Sequence, residues 1–123
     1  MQPETLGLLV DIRDAARYIV EDAAGIAYET FGADQRLRQA VLYSFLVIGE
    51  ASNRLRRRDP ELTRRLSEIE GAIAMRTVVI NGYDIVDYAI VWQAIQEKLP
   101  AVIDQVETML SDGERGNREQ QDR

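Results

Sequence analysis

The chain contains no histidine and no cysteine. The first absence removes the side chain whose ordinary pKa best suits proton transfer near neutral pH, and with it the commonest metal ligand. The second removes disulfides, thiolate nucleophiles and cysteine-based zinc sites together. No cluster of carboxylates marks a Mg²⁺ site either, and no cofactor is expected. Proline and glycine are sparse, at three and eight residues in 123, and β-branched residues do not alternate with polar ones, so strands find little support. No apolar run approaches the roughly 20 residues that a bilayer-spanning helix needs. The opening Met1-Gln2-Pro3-Glu4 lacks the basic and then apolar pattern of a secretion signal, so a cytoplasmic location with no membrane partner is the expectation. A general excess of positive charge is also missing. The net charge of −6 argues against a broad, sequence-independent nucleic-acid binder and leaves room only for a local basic patch.

What is present is a helical pattern. The hydrophobic fraction of 46% is that of a globular protein, and the length suits one domain with its own core. Leu8, Ile12, Ala15, Ile19, Ala23 and Ile26 recur at spacings of three and four, which predicts a first helix over about residues 4–30. Asp34 is placed to cap the next, over about 35–58, whose stripe is Leu37, Val41, Phe45, Ile48, Ala51 and Leu55. Asp59-Pro60 ends it, and a short helix or turn covers Glu61 to Leu66. A third helix over about 67–80 turns Ile69, Ile73 and Val79 or Ile80 inward, and Asn81-Gly82 interrupts it. The last, over about 84–111, carries Tyr88, Val91, Ile95, Leu99, Val102, Val106 and Met109, with Pro100 predicting a kink or break. The expected fold is all-α, an up-and-down four-helix bundle with a short extra helix. It forms one domain over 1–111, followed by a disordered charged tail over 112–123.

The densest polar information lies in Met75-Arg76-Thr77-Val78-Val79-Ile80-Asn81-Gly82-Tyr83-Asp84. This segment resembles the signature of the HepT-like group of HEPN-domain toxins: an arginine, four residues, a histidine, one residue and a tyrosine. Arg76, Asn81 and Tyr83 stand in those three places, with asparagine where the family has histidine, and Thr77 where an asparagine usually follows the arginine. Phe31-Gly32-Ala33-Asp34, the run Gln39 to Tyr43, Ile48-Gly49-Glu50-Ala51, Asp59-Pro60-Glu61 and Val91-Trp92 through Leu99-Pro100 resemble other parts of the family pattern, in order, across most of residues 6–110. The resemblance implies a HEPN-like helical homodimer with the signature helices facing across a cleft. It further implies metal-independent RNA cleavage, and a partner nucleotidyltransferase antitoxin of the MNT type that attaches AMP to the motif tyrosine, here Tyr83.

The chemistry sharpens the resemblance. Cleaving RNA without a metal requires a proton to leave the 2′-hydroxyl and charge to be stabilised on the phosphorus centre. Imidazole does the first and guanidinium the second. Arg76 retains the second role, whereas Asn81 cannot titrate near neutral pH, so a silenced nuclease is the expected outcome. Positions five apart stand roughly 140° apart on an ideal helix. Arg76 and Asn81 therefore converge only if the helix unwinds near Asn81-Gly82, or if the two belong to different subunits. Glu50, inside an apolar stretch, either supports Arg76 or is a solvated residue at the helix edge. Without the resemblance, Arg76 and Tyr83 would read as a helix-end charge and a packing residue. Trp92, Tyr88 and Tyr18 read as core or dimer packing more readily than as base-stacking platforms, and the arginines from Arg54 to Arg65 as a solvated face neutralised by Asp59 and Glu61, with a patch for substrate RNA or a partner as the lesser reading. Three functions stay open: a HepT-like toxin silenced at Asn81, a non-catalytic AMPylation acceptor of a nucleotidyltransferase, and a structural interaction module.

Overall fold

A computed structural model describes the backbone of residues 1–81 and 86–121, together with their side chains apart from those of 77–81 and 114–121. Among the described residues every regular element is helical, which bears out the all-α expectation. Helix α1 spans Pro3–Ala23. Pro3 opens it where a missing N–H costs nothing, and Glu4 complements the positive end of the helix dipole. The predicted continuation to residue 30 does not occur. Gly25 adopts φ +74°, a left-handed conformation that a side chain resists, and the chain turns there. A separate short helix, α2 (Tyr28–Ala33), follows.

Helix α3, Gln35–Arg58, begins as predicted, with the Asp34 side chain accepting from the Leu37 amide at 3.0 Å. Asp59 closes it and then caps the next helix, α4 (Pro60–Arg64), by accepting from the Leu62 amide at 3.1 Å. Helix α5 covers Ile69–Asn81. Helix α6, Tyr88–Gln93, is capped by Asp87, whose carboxylate accepts from the Ala89 amide at 3.0 Å. It runs into a π-helical turn, Ala94–Lys98, and then into α7, Leu99–Gln121. Pro100 therefore does not break the helix. Its ring crowds the carbonyl four residues back and offers no N–H. The backbone answers by widening one turn ahead, where the Leu99 amide reaches Ala94 O, five residues earlier. Residues 112–121, expected to be a disordered tail, continue α7 as helical backbone. Glu114, Arg115, Arg118, Glu119 and Gln120 are good helix formers, which gives that continuation a local reason despite Gly113 and Gly116.

The main helices pack in the order α5, α3, α1, α7. The stripes read from periodicity form the core: Leu9, Ile12 and Ile19 of α1, Ile48 and Leu55 of α3, and Val91 and Val106 of the last helical run are all buried. Val79 and Ile80 have side chains outside the described residues, and Ile26, Leu37, Ile73 and Tyr88 are only half-buried, packed against the edge of the core. Phe31 anchors α2, fully buried, with Trp92 at 5.0 Å and Tyr88 at 6.1 Å between ring centroids. Trp92 and Tyr88 are thus packing residues, and Arg38 of α3 lies over the Tyr88 ring at 5.1 Å. Tyr18 does not join them; it is exposed in the single chain. The ring of helices is pinned at one end, where the Gln105 amide oxygen of α7 accepts from the Glu68 amide at 3.0 Å while its nitrogen donates to Ser67 at 2.7 Å. Beyond that pin, α5 and the π-helical turn stand apart around a groove of about 540 Å³, floored by Phe45 and Ile48 of α3. No described helix is long and apolar enough to cross a membrane.

Candidate functional site

Arg76 lies past the middle of α5, against α3. Its Nε and a terminal nitrogen both donate to Oε1 of Glu50, at 3.0 and 2.6 Å. The partner considered for Glu50 from sequence is therefore the one it has. The carboxylate remains half exposed, and 29% of the arginine side chain is open to solvent. An ion pair this exposed contributes about 0–1 kcal/mol to stability. Its consequence is positional: it holds a guanidinium in one orientation while leaving part of it open to a phosphate.

What brings the arginine there is Gly49. A Cβ built at this position would fall 2.2 Å from Cβ of Arg76, 3.0 Å from its Cγ and 3.1 Å from its Cδ. Carbon atoms do not approach that closely, so the stem of Arg76 crosses α3 in a space that only glycine leaves. Because the nearest atom is the β-carbon, fixed to the α5 backbone, the clash could be relieved only by moving the helix. Sequence reasoning recorded Gly49 as part of a pattern and missed this role. Neither segment alone carried a signal for it: a glycine inside a helical pattern reads as a loss of helix propensity, and its approach to Arg76 involves two helices.

Asn81 is the last residue of α5, and the backbone is helical through it. The helix therefore does not unwind before position 81, and on one regular helix the two positions stand roughly 140° apart about the axis. The Asn81 side chain and all of Tyr83 lie outside the described residues, so no distance relates them to Arg76.

The arginines of the α3–α4 corner are not neutralised as expected. Asp59 is occupied with capping. Arg64 does pair with Glu61, at 2.6 Å, but Arg56 pairs with Glu70 of α5 at 3.0 Å. Arg58 reaches across to α1, pairing with Glu4 and donating to Gln2 Oε1 at 3.1 Å. Arg54, Arg57 and Arg58 line a groove of about 510 Å³ whose other wall is Glu4, Gly7, Leu8 and Asp11. Among the described residues Arg54 and Arg57 make no ion pair.

Comparison with known proteins gives this geometry a family. A model of the family described as "Ribonuclease HepT-like" matches residues 11–109. A protein of Caldanaerobacter subterraneus subsp. tengcongensis named "Putative RNase" is 32% identical over 83% of this chain and 90% of its own length. One of Thermococcus cleftensis named "Probable ribonuclease HepT" is 32% identical over 76% of this chain and 84% of its own. One of Methanocaldococcus jannaschii named "Putative RNase" is 28% identical over 80% and 90%. No solved structure matches the chain. The matched span takes in α3, Glu50, Arg76 and the whole of the signature segment, and the chain belongs to the ribonuclease HepT-like family.

Proposed function

We propose that this chain is the toxin of a HEPN/MNT toxin–antitoxin pair, an RNA-cleaving protein by descent whose site keeps its phosphate-holding arginine and lacks its proton carrier. The observation that carries the reading is Arg76, oriented by Glu50 across Gly49 and open to solvent, in a chain with no histidine to work beside it. In the reaction the 2′-oxygen of RNA loses its proton and bonds to the adjacent phosphorus. The bond to the 5′-oxygen then breaks and that oxygen takes up a proton, leaving a 2′,3′-cyclic phosphate and a 5′-hydroxyl. A guanidinium at the position of Arg76 stabilises the added charge on phosphorus. Asn81 donates or accepts a hydrogen bond but moves no proton, and Tyr83 completes the signature.

The site is a joint product of two copies in this reading. Positions 76 and 81 are on different sides of one continuous helix, so the arginine of one subunit is best served by position 81 of the other. The composition of α5 supports the same arrangement: from Ile69 to Asn81 its only charged residues are Glu70 and Arg76. A helix apolar nearly all round is stable when covered on more than one side, and a second copy supplies the second cover.

Asn81→His tests the central claim. It should give a folded dimer that cleaves RNA in the presence of a chelator, with a rate about 10²–10⁴-fold above the parent. A folded dimer that remains inert would remove the ribonuclease reading. Tyr83 has a second role as the acceptor of AMP from an MNT-type nucleotidyltransferase: its oxygen attacks the α-phosphorus of ATP and pyrophosphate leaves. The added phosphodiester brings negative charge and bulk beside Arg76 and blocks RNA by both. Incubation with the transferase and ATP should add the mass of one adenylyl group to the parent and nothing to Tyr83→Phe. An unchanged mass in the parent would eliminate the acceptor role.

A further inference from the structure

Helix α3 presents an outward stripe that the family reading does not use. Taking 100° per residue, positions 36, 43, 50, 54, 57 and 58 fall within about 60° of one line along the helix. Their occupants are Arg36, Tyr43, Glu50, Arg54, Arg57 and Arg58, all exposed. Glu50 is the only acid in the whole of α3. With Arg76 packed beside it, this face gathers five guanidiniums around one carboxylate, in a chain whose net charge is −6. Tyr43 stands between Arg36 and the Arg76–Glu50 pair with 68% of its surface open, the most exposed of the large apolar and aromatic residues among those described. From Arg36 to Arg57 the stripe runs about 32 Å at 1.5 Å per residue.

We propose that single-stranded RNA lies along this stripe, with Arg54 and Arg57 holding phosphates on one side of the Arg76–Glu50 pair and Arg36 on the other, and with Tyr43 stacking a base between them. The proposal rests on the ribonuclease reading and adds to it the path by which the strand reaches Arg76. The chemistry is that of a sequence-tolerant single-strand surface: cations spaced along a line for the backbone, and an aromatic face for a base. Arg58 is largely spent on Glu4 and Gln2, which is why Arg54 and Arg57 carry the role. Asp11 and Glu4, on the far wall of their groove, confine the strand to the α3 side by repulsion. The stripe is the wrong chemistry for a subunit contact, since charge is depleted at the core of such interfaces. The apolar helix α5 is the better surface for that.

The test is binding of a fluorescent single-stranded oligoribonucleotide to the full-length chain across a salt series. Each phosphate contact contributes about 0.7 to the slope of log affinity against log salt for a single strand. The double variant Arg54→Gln/Arg57→Gln should flatten the slope by about 1.4 and weaken binding at low salt by more than ten-fold. Tyr43→Ala should weaken binding roughly ten-fold with the slope unchanged, because stacking releases no counterions. Arg64→Gln, on the far side of the corner and paired with Glu61, should change neither. A slope and affinity left intact by the double variant, in a protein that still cleaves RNA once Asn81→His is introduced, overturn the track and leave the ribonuclease reading standing. Loss of the dimer in the double variant, seen by sedimentation, also overturns it by making the stripe a subunit contact. Absence of both RNA binding and Asn81→His cleavage overturns the track together with the reading beneath it.

Discussion

Helix α3 is held on its two flanks by different means. Toward α1 it meets a helix with one apolar stripe and one polar face, and the two interdigitate through whole side chains such as Ile12, Ile19, Ile48 and Leu55. Toward α5 it meets a helix without a polar face, and the approach is set by a missing side chain at Gly49 and a charged one at Arg76. The first flank stabilises the fold and is closed to solvent. The second brings a cation against α3 and leaves it open. The guanidinium on the second flank is open to solvent, whereas one buried as deeply as Ile48 could not be reached by a phosphate.

The largest effects on stability should therefore come from the closed flank. Ile12→Ala removes most of a fully buried side chain and should cost about 2–5 kcal/mol. Phe31→Ala lies outside both flanks, in the equally closed contact between α2 and the Trp92 and Tyr88 rings, and should cost about 3–5 kcal/mol. Chemical denaturation followed by circular dichroism measures both. If either variant lost less than substitutions around Arg76, the division between a stabilising flank and an open flank would be wrong.

The same division governs what the sequence made legible. Amphipathic helices announce themselves, because water on one side and core on the other force a period of about 3.6 residues; the stripes of α1, α3 and α7 are where periodicity puts them. Asp34, Asp59 and Pro60 were equally readable, since a cap is a local event. Two features were not. The turn at Gly25 depends on φ +74°, which a glycine permits without announcing, and the apolar Ile26 beyond it carried the helical pattern past the break. The response to Pro100 could have been a kink, a break or a widened turn, and the local sequence does not choose among them. At the site the guanidinium–carboxylate pairing was foreseeable from an acid in an apolar stretch. The void at Gly49 was not, because it is a property of two helices and neither sequence segment contains it.

Gly49 offers the sharper comparison, since Gly71 of α5 has nothing within 4 Å of where its Cβ would stand. The same substitution should act in opposite directions at the two. Gly71→Ala should stabilise by about 0.4–1 kcal/mol through lost freedom of the unfolded chain and better helix propensity. Gly49→Ala gains the same terms and must also push α5 outward, for a net loss of about 1–3 kcal/mol. In the Asn81→His background it should lower RNA cleavage further than stability alone explains, because Arg76 moves with its helix. Truncating Arg76 to alanine should not rescue Gly49→Ala, since the 2.2 Å clash is with the β-carbon that alanine keeps. A rescue would place the conflict in the outer part of the side chain and dissolve the case for a backbone-level constraint.

The smallest effect on stability belongs to Glu50→Gln, and it tests the open flank best. Glutamine keeps the size and one acceptor oxygen but removes the charge facing Arg76. For a pair this exposed the loss should stay under about 1 kcal/mol, near the limit of a denaturation curve. Its functional effect divides in two. Removing a carboxylate beside a phosphate-binding guanidinium relieves repulsion and should tighten binding of an RNA strand at low salt. Removing the group that orients the guanidinium should lower the cleavage rate in the Asn81→His chain, because a misplaced charge stabilises the transition state less than the ground state. Tighter binding together with slower cleavage is the mark of a positioning residue. If both fell together, Glu50 would be holding the fold of α5, and the open flank would be structural after all.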